Sequence, residues 1–280
     1  MAPKVIGRED IEQKRRQSGP HRLSFLYTRP NEPKPDKEGS NFAGTFTVPF
    51  PDTVQFLFEQ DTALKLFPSK YDSNARWRSL KTSDEFEKTR QWVSRQRPRI
   101  FLRDTLDLSV ALDQNFFNNE GEYTPLGEAE QQAKHQGDLE AIKAVADAMT
   151  DTIRDLPGYR DAQYIAAVPA HRDKPYDLPT LLAARLARML DLEDLTHDFT
   201  YRHAKPSLKS CEIGQKWDAL AESGLRFTGH ILDSKPVILV DDKYQSGFTL
   251  QFVASCLQAA GAGAVYGLCA VKTLNDTDNM

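Results

Sequence analysis

The sequence predicts an α/β protein: a mainly parallel sheet flanked by helices, preceded by an additional N-terminal α+β region. Three observations lead there. From residue 138 onward, apolar runs of strand length alternate with stripes of helical period. Two of those runs, Tyr164–Val168 and Val237–Val240, are continuously apolar, as strands buried on both faces are. Before residue 138 the apolar positions are sparser, rich in Phe, Val and Thr, and broken by Pro. The 280 residues suffice for one large or two modest domains, and the change of pattern divides them into 1–137 and 138–280.

Residues 1–40 are charged and dotted with proline, so the expectation is an extended arm or loop whose ordering needs a partner. FAGTFTVPFPDTVQFLF, from Phe42, reads as one or two short strands, and a helical stretch follows from about Ser83 to Arg95. RIFLRDTLDLSVALDQNF opens like a strand, and the turn-rich NNEGEYTPLGE after it leads to a soft domain boundary near residues 120–137. Asp138 then caps a helix whose inward stripe is Leu139, Ile142, Val145, Ala146, Met149 and Ile153. The strand Tyr164–Val168 ends at Pro169. Asp177 starts the next helix, with Pro179 in its first turn. A polar, partly basic region leads to the strand PVILVDD, the loop KYQSGFT, a helix, and the strand VYGLCAVKT.

Composition excludes several classes. Apolar residues at 40% and charged residues at 27% are those of a soluble globular chain, and no apolar run approaches the roughly 20 residues that cross a bilayer. Without a secretory-type apolar leader, the chain reads as cytoplasmic, with no membrane partner. Three cysteines, Cys211, Cys256 and Cys269, lack metal-ligand spacing, as do the histidines. The net charge of −4 is uneven: residues 1–103 carry 20 Lys/Arg against 13 Asp/Glu. That permits a basic face including Lys88, Arg90, Arg95, Arg97, Arg99 and Arg103, which would meet phosphates, nucleic acid or an acidic protein. No nucleic-acid reader motif accompanies it.

Chemistry concentrates in VILVDDKYQSGFTL, residues 237–250. The apolar run puts Asp241 and Asp242 at the carboxyl end of a central strand, where two carboxylates can accept charge-assisted hydrogen bonds from vicinal sugar hydroxyls. The loop Gln245-Ser246-Gly247-Phe248-Thr249 feeds a helix. Gly247 permits a tight turn, while backbone N–H groups and the hydroxyls of Ser246 and Thr249 converge on a phosphate at the helix N-terminus. Acid pair and loop together describe a ribose 5-phosphate pocket.

An apolar strand, Asp-Asp, a short loop and Ser-Gly-x-Thr resembles the phosphoribosylpyrophosphate (PRPP) signature of type I phosphoribosyltransferases. The order VPAHRDKPYDLPTLLAARLARML, RHAKPSLKS, signature is similar to the ComF-like branch of that superfamily, without the paired-cysteine zinc module many ComF proteins carry. The resemblance covers residues 138–273. It implies that Asp241 and Asp242 contact the ribose hydroxyls and that Gln245–Thr249 hold the 5-phosphate. By the same resemblance, Pro169, Ala170, His171, Arg172 and Lys174 form the pyrophosphate loop. Arg202 and Lys205, with His203 and Lys209, belong to a hood loop closing over the reaction. Implied too are Mg²⁺ bound by the substrate, with no protein metal site, and transfer of phosphoribosyl to a nitrogen acceptor with release of pyrophosphate. The rival implication is a non-catalytic PRPP or nucleotide sensor, or a partner subunit in DNA uptake, DNA processing or defence, docking through residues 1–137. Lys243, Gln245 and Phe248 depart from the family pattern, Phe248 being bulky where the loop usually has a small residue.

Overall fold

The computed structural model describes residues 5–17, 19–26, 32–52, 54–170, 177–203, 211 and 213–275. The chain forms two compact units: Met1–Arg15 with Asp104–Met280, and the intervening Arg16–Arg103. The division therefore does not fall at residue 137.

Residues 1–40 are not uniformly extended. Helix α1 (Arg8–Arg16) buries Ile11 completely, and its approach is tied down by Ile6, whose N–H donates to Gln258 Oε1 at 2.8 Å. Arg8 reaches Asp218 at 2.8 Å. The partner that orders this segment is thus the far end of the same chain.

In the 16–103 unit, β1 (Arg22–Ser24) has an antiparallel partner near the unit's end. A separate sheet is built from β2 (Lys34–Pro35), β3 (Gly44–Val48), β4 (Phe67–Pro68) and β5 (Arg76–Leu80), ordered β2-β3-β5-β4 and antiparallel. Helices α2 (Val54–Thr62) and α3 (Ser83–Gln96) cover it, and β6 (Ile100–Leu102) is the partner of β1. The core is aromatic: Phe46 stacks on Phe58 at 5.0 Å, and Trp92 meets Phe58 edge-on at 5.2 Å and Phe25 at 5.8 Å. Most of the expected basic face is spent internally. Lys88, Arg90, Arg95 and Arg97 sit beside Asp84, Glu87, Asp61 and Glu32, while Arg99 and Arg103 are buried.

The other unit continues with β7 (Leu108–Gln114), α4 (Pro125–Gln136), α5 (Leu139–Asp155), the short α6 (Pro157–Arg160), β8 (Tyr164–Ala167), α7 (Leu178–Leu190) and β9 (Glu193–Asp194). A two-stranded ribbon, β10 (Phe199–Thr200) with β11 (Arg226–Phe227), brackets α8 (Ile213–Glu222). Then come β12 (Val237–Tyr244), α9 (Phe248–Ala259) and β13 (Val265–Lys272). Its strands run in the order β7-β13-β12-β8-β9, and every pairing is parallel. The predicted caps hold: Ala141 N–H donates to Asp138 at 2.8 Å, and Thr180 N–H to Asp177 at 3.2 Å. The β8-to-β9 and β12-to-β13 crossovers run in opposite directions across the sheet, so right-handed connections set α7 and α9 on opposite faces. Helix α4 packs with α5, and α5 with α7; α8 packs with α9. Val237–Val240 are fully buried between these layers.

Besides helix α2, which takes up Val54–Phe58 of the run read as strands, two local readings change. The stretch read as a boundary near residues 120–137 contains α4, capped by Thr124, whose Oγ1 accepts from Gly127 N–H at 3.0 Å, and ended by left-handed Gly137. Second, β12 does not stop at the acids. Its ladder with β8 ends at Val240 opposite Ala167, but its ladder with β13 runs on through Asp241, opposite Cys269, to Tyr244, opposite Lys272. The acid pair therefore still belongs to the sheet, on the stretch where β12 has lost one of its two neighbours.

Candidate functional site

Asp241 and Asp242 are half-buried on that one-sided end of β12. Asp242 backbone N–H donates to Asp241 Oδ1 at 2.9 Å, which holds the Asp241 carboxylate against the strand. From α4, Lys134 Nζ lies 2.6 Å from Asp242 Oδ2 and 3.6 Å from Glu130 Oε1. Lys243 Nζ in turn meets the buried Glu130 at Oε2, 3.1 Å away. Burial pulls the Lys134 ammonium down, but Asp242, Glu130 and Asp241 outweigh it and hold it above the ordinary lysine range. Lys134 and Glu130 lay in the stretch read as a domain boundary, near residues 120–137, and carried no motif; the Thr124 cap and Gly137 stop were the signals that a helix stood there. Lys243, unusual for the resembled family, is used by this network.

After Tyr244 the chain turns through Gln245, Ser246 and Gly247 into α9. Gly247 has φ 69°, in the left-handed region, and a Cβ there would collide with the hydroxyl of Tyr244. Tyr244 Oη donates to Asp104 Oδ2 at 3.0 Å, both groups being buried. Desolvation pushes the Asp104 carboxyl up to about 6 despite its hydrogen bonds from Leu106 N–H and Tyr244, and burial beside Asp104 raises the Tyr244 phenol. The turn is thereby braced from beneath.

Phe248, the bulky departure, is 2% exposed, and the Arg15 guanidinium sits over its ring at 5.3 Å. It is a packing residue of α9. Ser246, Gly247 and Thr249 remain half-buried and Gln245 exposed. Helix α9 begins with no side-chain cap and no acid in its first turn, which leaves its leading N–H groups without intrahelical acceptors. Lys216 on α8, unremarked in the sequence, is 8% exposed and reaches Ser246 Oγ at 3.5 Å.

Beside Gln245 opens a cavity of about 570 Å³ at the carboxyl ends of β7, β12 and β13, walled by Asn115, Phe116, Asn119, Thr273 and Asn275 among others. It touches the loop at Gln245; the acids and Ser246–Thr249 do not line it. Phe116 packs on Tyr123 at 4.6 Å, and Asn115 Oδ1 accepts from Leu274 N–H at 2.7 Å, which fixes the wall.

The remaining expected residues are scattered. Val168 N–H donates to Val240 O at 2.9 Å, bringing the start of the Pro169-Ala170 loop beside the strand that carries the acids. Pro169 O accepts from Tyr201 Oη at 3.3 Å. Arg202 and His203 are exposed, their backbone N–H groups donating to Ser223 O at 3.0 and 2.9 Å, and no contact joins Arg202 to the acids among the described residues. His171, Arg172, Lys174, Lys205 and Lys209 lie outside the described residues. Among the described residues no three His, Cys, Asp or Glu side chains converge to hold a metal ion, and no helix is long and apolar enough to cross a membrane. Cys269, behind Asp241, has its thiol pushed up by burial and by the charges of Asp241 and Asp242, which makes it unreactive.

No protein-family profile matches the chain, and no curated protein does. Solved structures do. One is a purine phosphoribosyltransferase from Pyrococcus horikoshii, at 18% identity over 49% of this chain and 78% of that chain, with TM-score 0.31. Another is an adenine phosphoribosyl transferase from Trypanosoma brucei in complex with AMP, pyrophosphate and ribose-5-phosphate, at 12% identity over 61% and 87%, with TM-score 0.36. A third is a hypothetical protein from Neisseria gonorrhoeae with bound ppGpp, at 16% identity over 47% and 66%, with TM-score 0.31.

Proposed function

We propose that this chain is a phosphoribosyltransferase: it binds PRPP with substrate-bound Mg²⁺ and transfers the phosphoribosyl group to a nitrogen nucleophile, releasing pyrophosphate. The observation that carries the reading is the succession along one strand end of a braced carboxylate pair, a left-handed glycine and an uncapped helix N-terminus. Sugar hydroxyls need acceptors and a terminal phosphate needs donors. Three residues of chain separate the two kinds of group here.

In the reaction the C1–O bond to pyrophosphate breaks as a C1–N bond forms, and the nucleophile's proton leaves to solvent. Positive charge spreads over C1 and the ring oxygen while negative charge grows on the leaving group, so positioning and charge stabilisation supply the catalysis. Asp241 and Asp242 accept the ribose hydroxyls and lie close enough to the developing cation to favour it. Because Lys134 occupies Asp242 Oδ2, it fixes which oxygen, Oδ1, is presented to a hydroxyl. Ser246, Gly247 and Thr249 take the 5-phosphate, with Gln245 at the junction to the neighbouring cavity, whose amide-rich wall has room for the acceptor. Substrate-bound Mg²⁺ would neutralise charge on the leaving group, and no residue of the chain is assigned to hold it. Arg172, Lys174, Lys205 and Arg202 are assigned the leaving group's remaining charge. Lys243 is engaged by Glu130, and Phe248 lies under the Arg15 guanidinium, so neither is assigned to the ligand.

Titration calorimetry with PRPP and Mg²⁺ tests this. Binding is expected in the wild-type chain and a loss of at least about 100-fold in the Asp241→Ala/Asp242→Ala variant, given roughly 1.5–3 kcal/mol per charged hydrogen bond. Equal affinity in the double variant would reject the site. Pyrophosphate release with a panel of bases and amines reports catalysis; tight binding without release across that panel makes the chain a sensor.

A further inference from the structure

Lys216 is an unusual residue. It is 8% exposed as a whole, and among the described residues the polar contact of its ammonium is Ser246 Oγ at 3.5 Å, a long bond with no carboxylate beside it. The nearest acid along its own helix, Asp218, is engaged by Arg8. A buried cation without a carboxylate destabilises a fold unless something else neutralises it. Its location indicates what that is. Ser246 is the residue before the left-handed Gly247, and α9 starts one residue later with neither a side-chain cap nor an acid in its first turn. Trp217, next to Lys216, packs edge-on against Phe252 of α9 at 4.7 Å, so α8 and the start of α9 hold a fixed spacing. The start of α9, the Ser246 hydroxyl and the ammonium of a buried lysine therefore lie together, each able to meet negative charge.

We infer that Lys216 is the charge partner of the ligand's terminal phosphate, so that the site selects a phosphomonoester dianion through α8 as well as through the loop. The inference rests on the phosphate role proposed for Ser246–Thr249 and adds to it a residue from a different element. It also gives the buried lysine a purpose: phosphate supplies the counter-charge that Ser246, its polar contact among the described residues, does not.

The test uses the full chain as wild type, Lys216→Met and Lys216→Arg. Calorimetry is run with ribose 5-phosphate, inorganic phosphate and unphosphorylated ribose, and thermal unfolding is followed with and without phosphate. Lys216→Met is expected to weaken both phosphorylated probes by roughly 10–100-fold, the range for a charged hydrogen bond, while Lys216→Arg stays within a few-fold of wild type and ribose does not distinguish the three. The ligand-free Tm of Lys216→Met should equal or exceed that of wild type, and phosphate should raise the wild-type Tm but not the variant's. A lysine that merely holds α8 in place would lower the ligand-free Tm instead, and that result overturns the inference, as does unchanged phosphate affinity in Lys216→Met. If wild type binds neither phosphorylated probe, the proposed function falls together with it; if wild type and Lys216→Met bind alike, the proposed function stands and Lys216 alone is rejected.

Discussion

Asp104 shows how single buried groups set the behaviour of the candidate site. Its carboxyl, raised by burial to about 6, accepts from the Tyr244 hydroxyl that underlies Gly247. The sign of the resulting linkage is fixed: between an unfolded value near 4 and the folded value near 6, the native state holds a proton the unfolded chain releases. Stability from this group is present below about pH 4 and lost as pH rises through 6. Wild type should therefore lose about 3 kcal/mol relative to Asp104→Asn between pH 4 and pH 7, at 1.36 kcal/mol per pH unit, as read from urea midpoints at each pH. Parallel pH profiles for the two proteins would contradict the assignment. At this scale the motif residues were legible: Asp241, Asp242 and Gln245–Thr249 announce themselves by type and order. Lys134, Glu130 and Lys216 did not, because a lone lysine or glutamate in a polar stretch has no signature until folding brings it against the acids or the loop.

Elements were legible in proportion to how much of themselves they bury. Helix α5 hides eight residues on one face and α7 hides six, and both were readable from their stripes and caps, save that Leu139, read as part of the inward stripe of α5, is exposed. Helix α4 buries only Gly127, Glu130 and Ala133, two small residues and a charge, so it offers no apolar period. Helix α1 has a single buried residue, Ile11, and its polar partners Asp218 and Gln258 are more than 200 positions away. For such a helix one anchor matters disproportionately. Ile11→Ala is expected to cost about 2–5 kcal/mol in urea unfolding, the usual range for emptying a fully buried site. A cost below about 0.5 kcal/mol would mean that α1 does not dock as described. Strand β12 outran its apolar code for a comparable reason: after Val240 its backbone is kept extended by β13, whatever the side chains are.

For the whole molecule, composition foresaw an α/β body and a charge imbalance, and both are present. Residues 16–103 carry 16 Lys/Arg against 10 Asp/Glu. Where the units part was marked only by charge, which turns at residue 104 from basic to one Lys against seven acids over 104–137, while what assigns β7 is its pairing with β13, some 150 positions later. All the described residues assigned to the ligand lie in the 104–280 unit, which gives a regional prediction. Hydrogen exchange with ribose 5-phosphate should slow in peptides covering 213–222 and 237–252 and remain unchanged in the antiparallel sheet of residues 34–80. Protection confined to that sheet would put the ligand elsewhere.

The position of β13 between β7 and β12 has a consequence for how the protein is made. On the ribosome, β7 emerges long before its neighbour exists, and β12 emerges with one flank bare, so neither ladder can close until residues 265–272 clear the exit tunnel. A stalled or prematurely terminated chain would display two apolar strand edges at once, a ready substrate for chaperones or for clumping with its siblings.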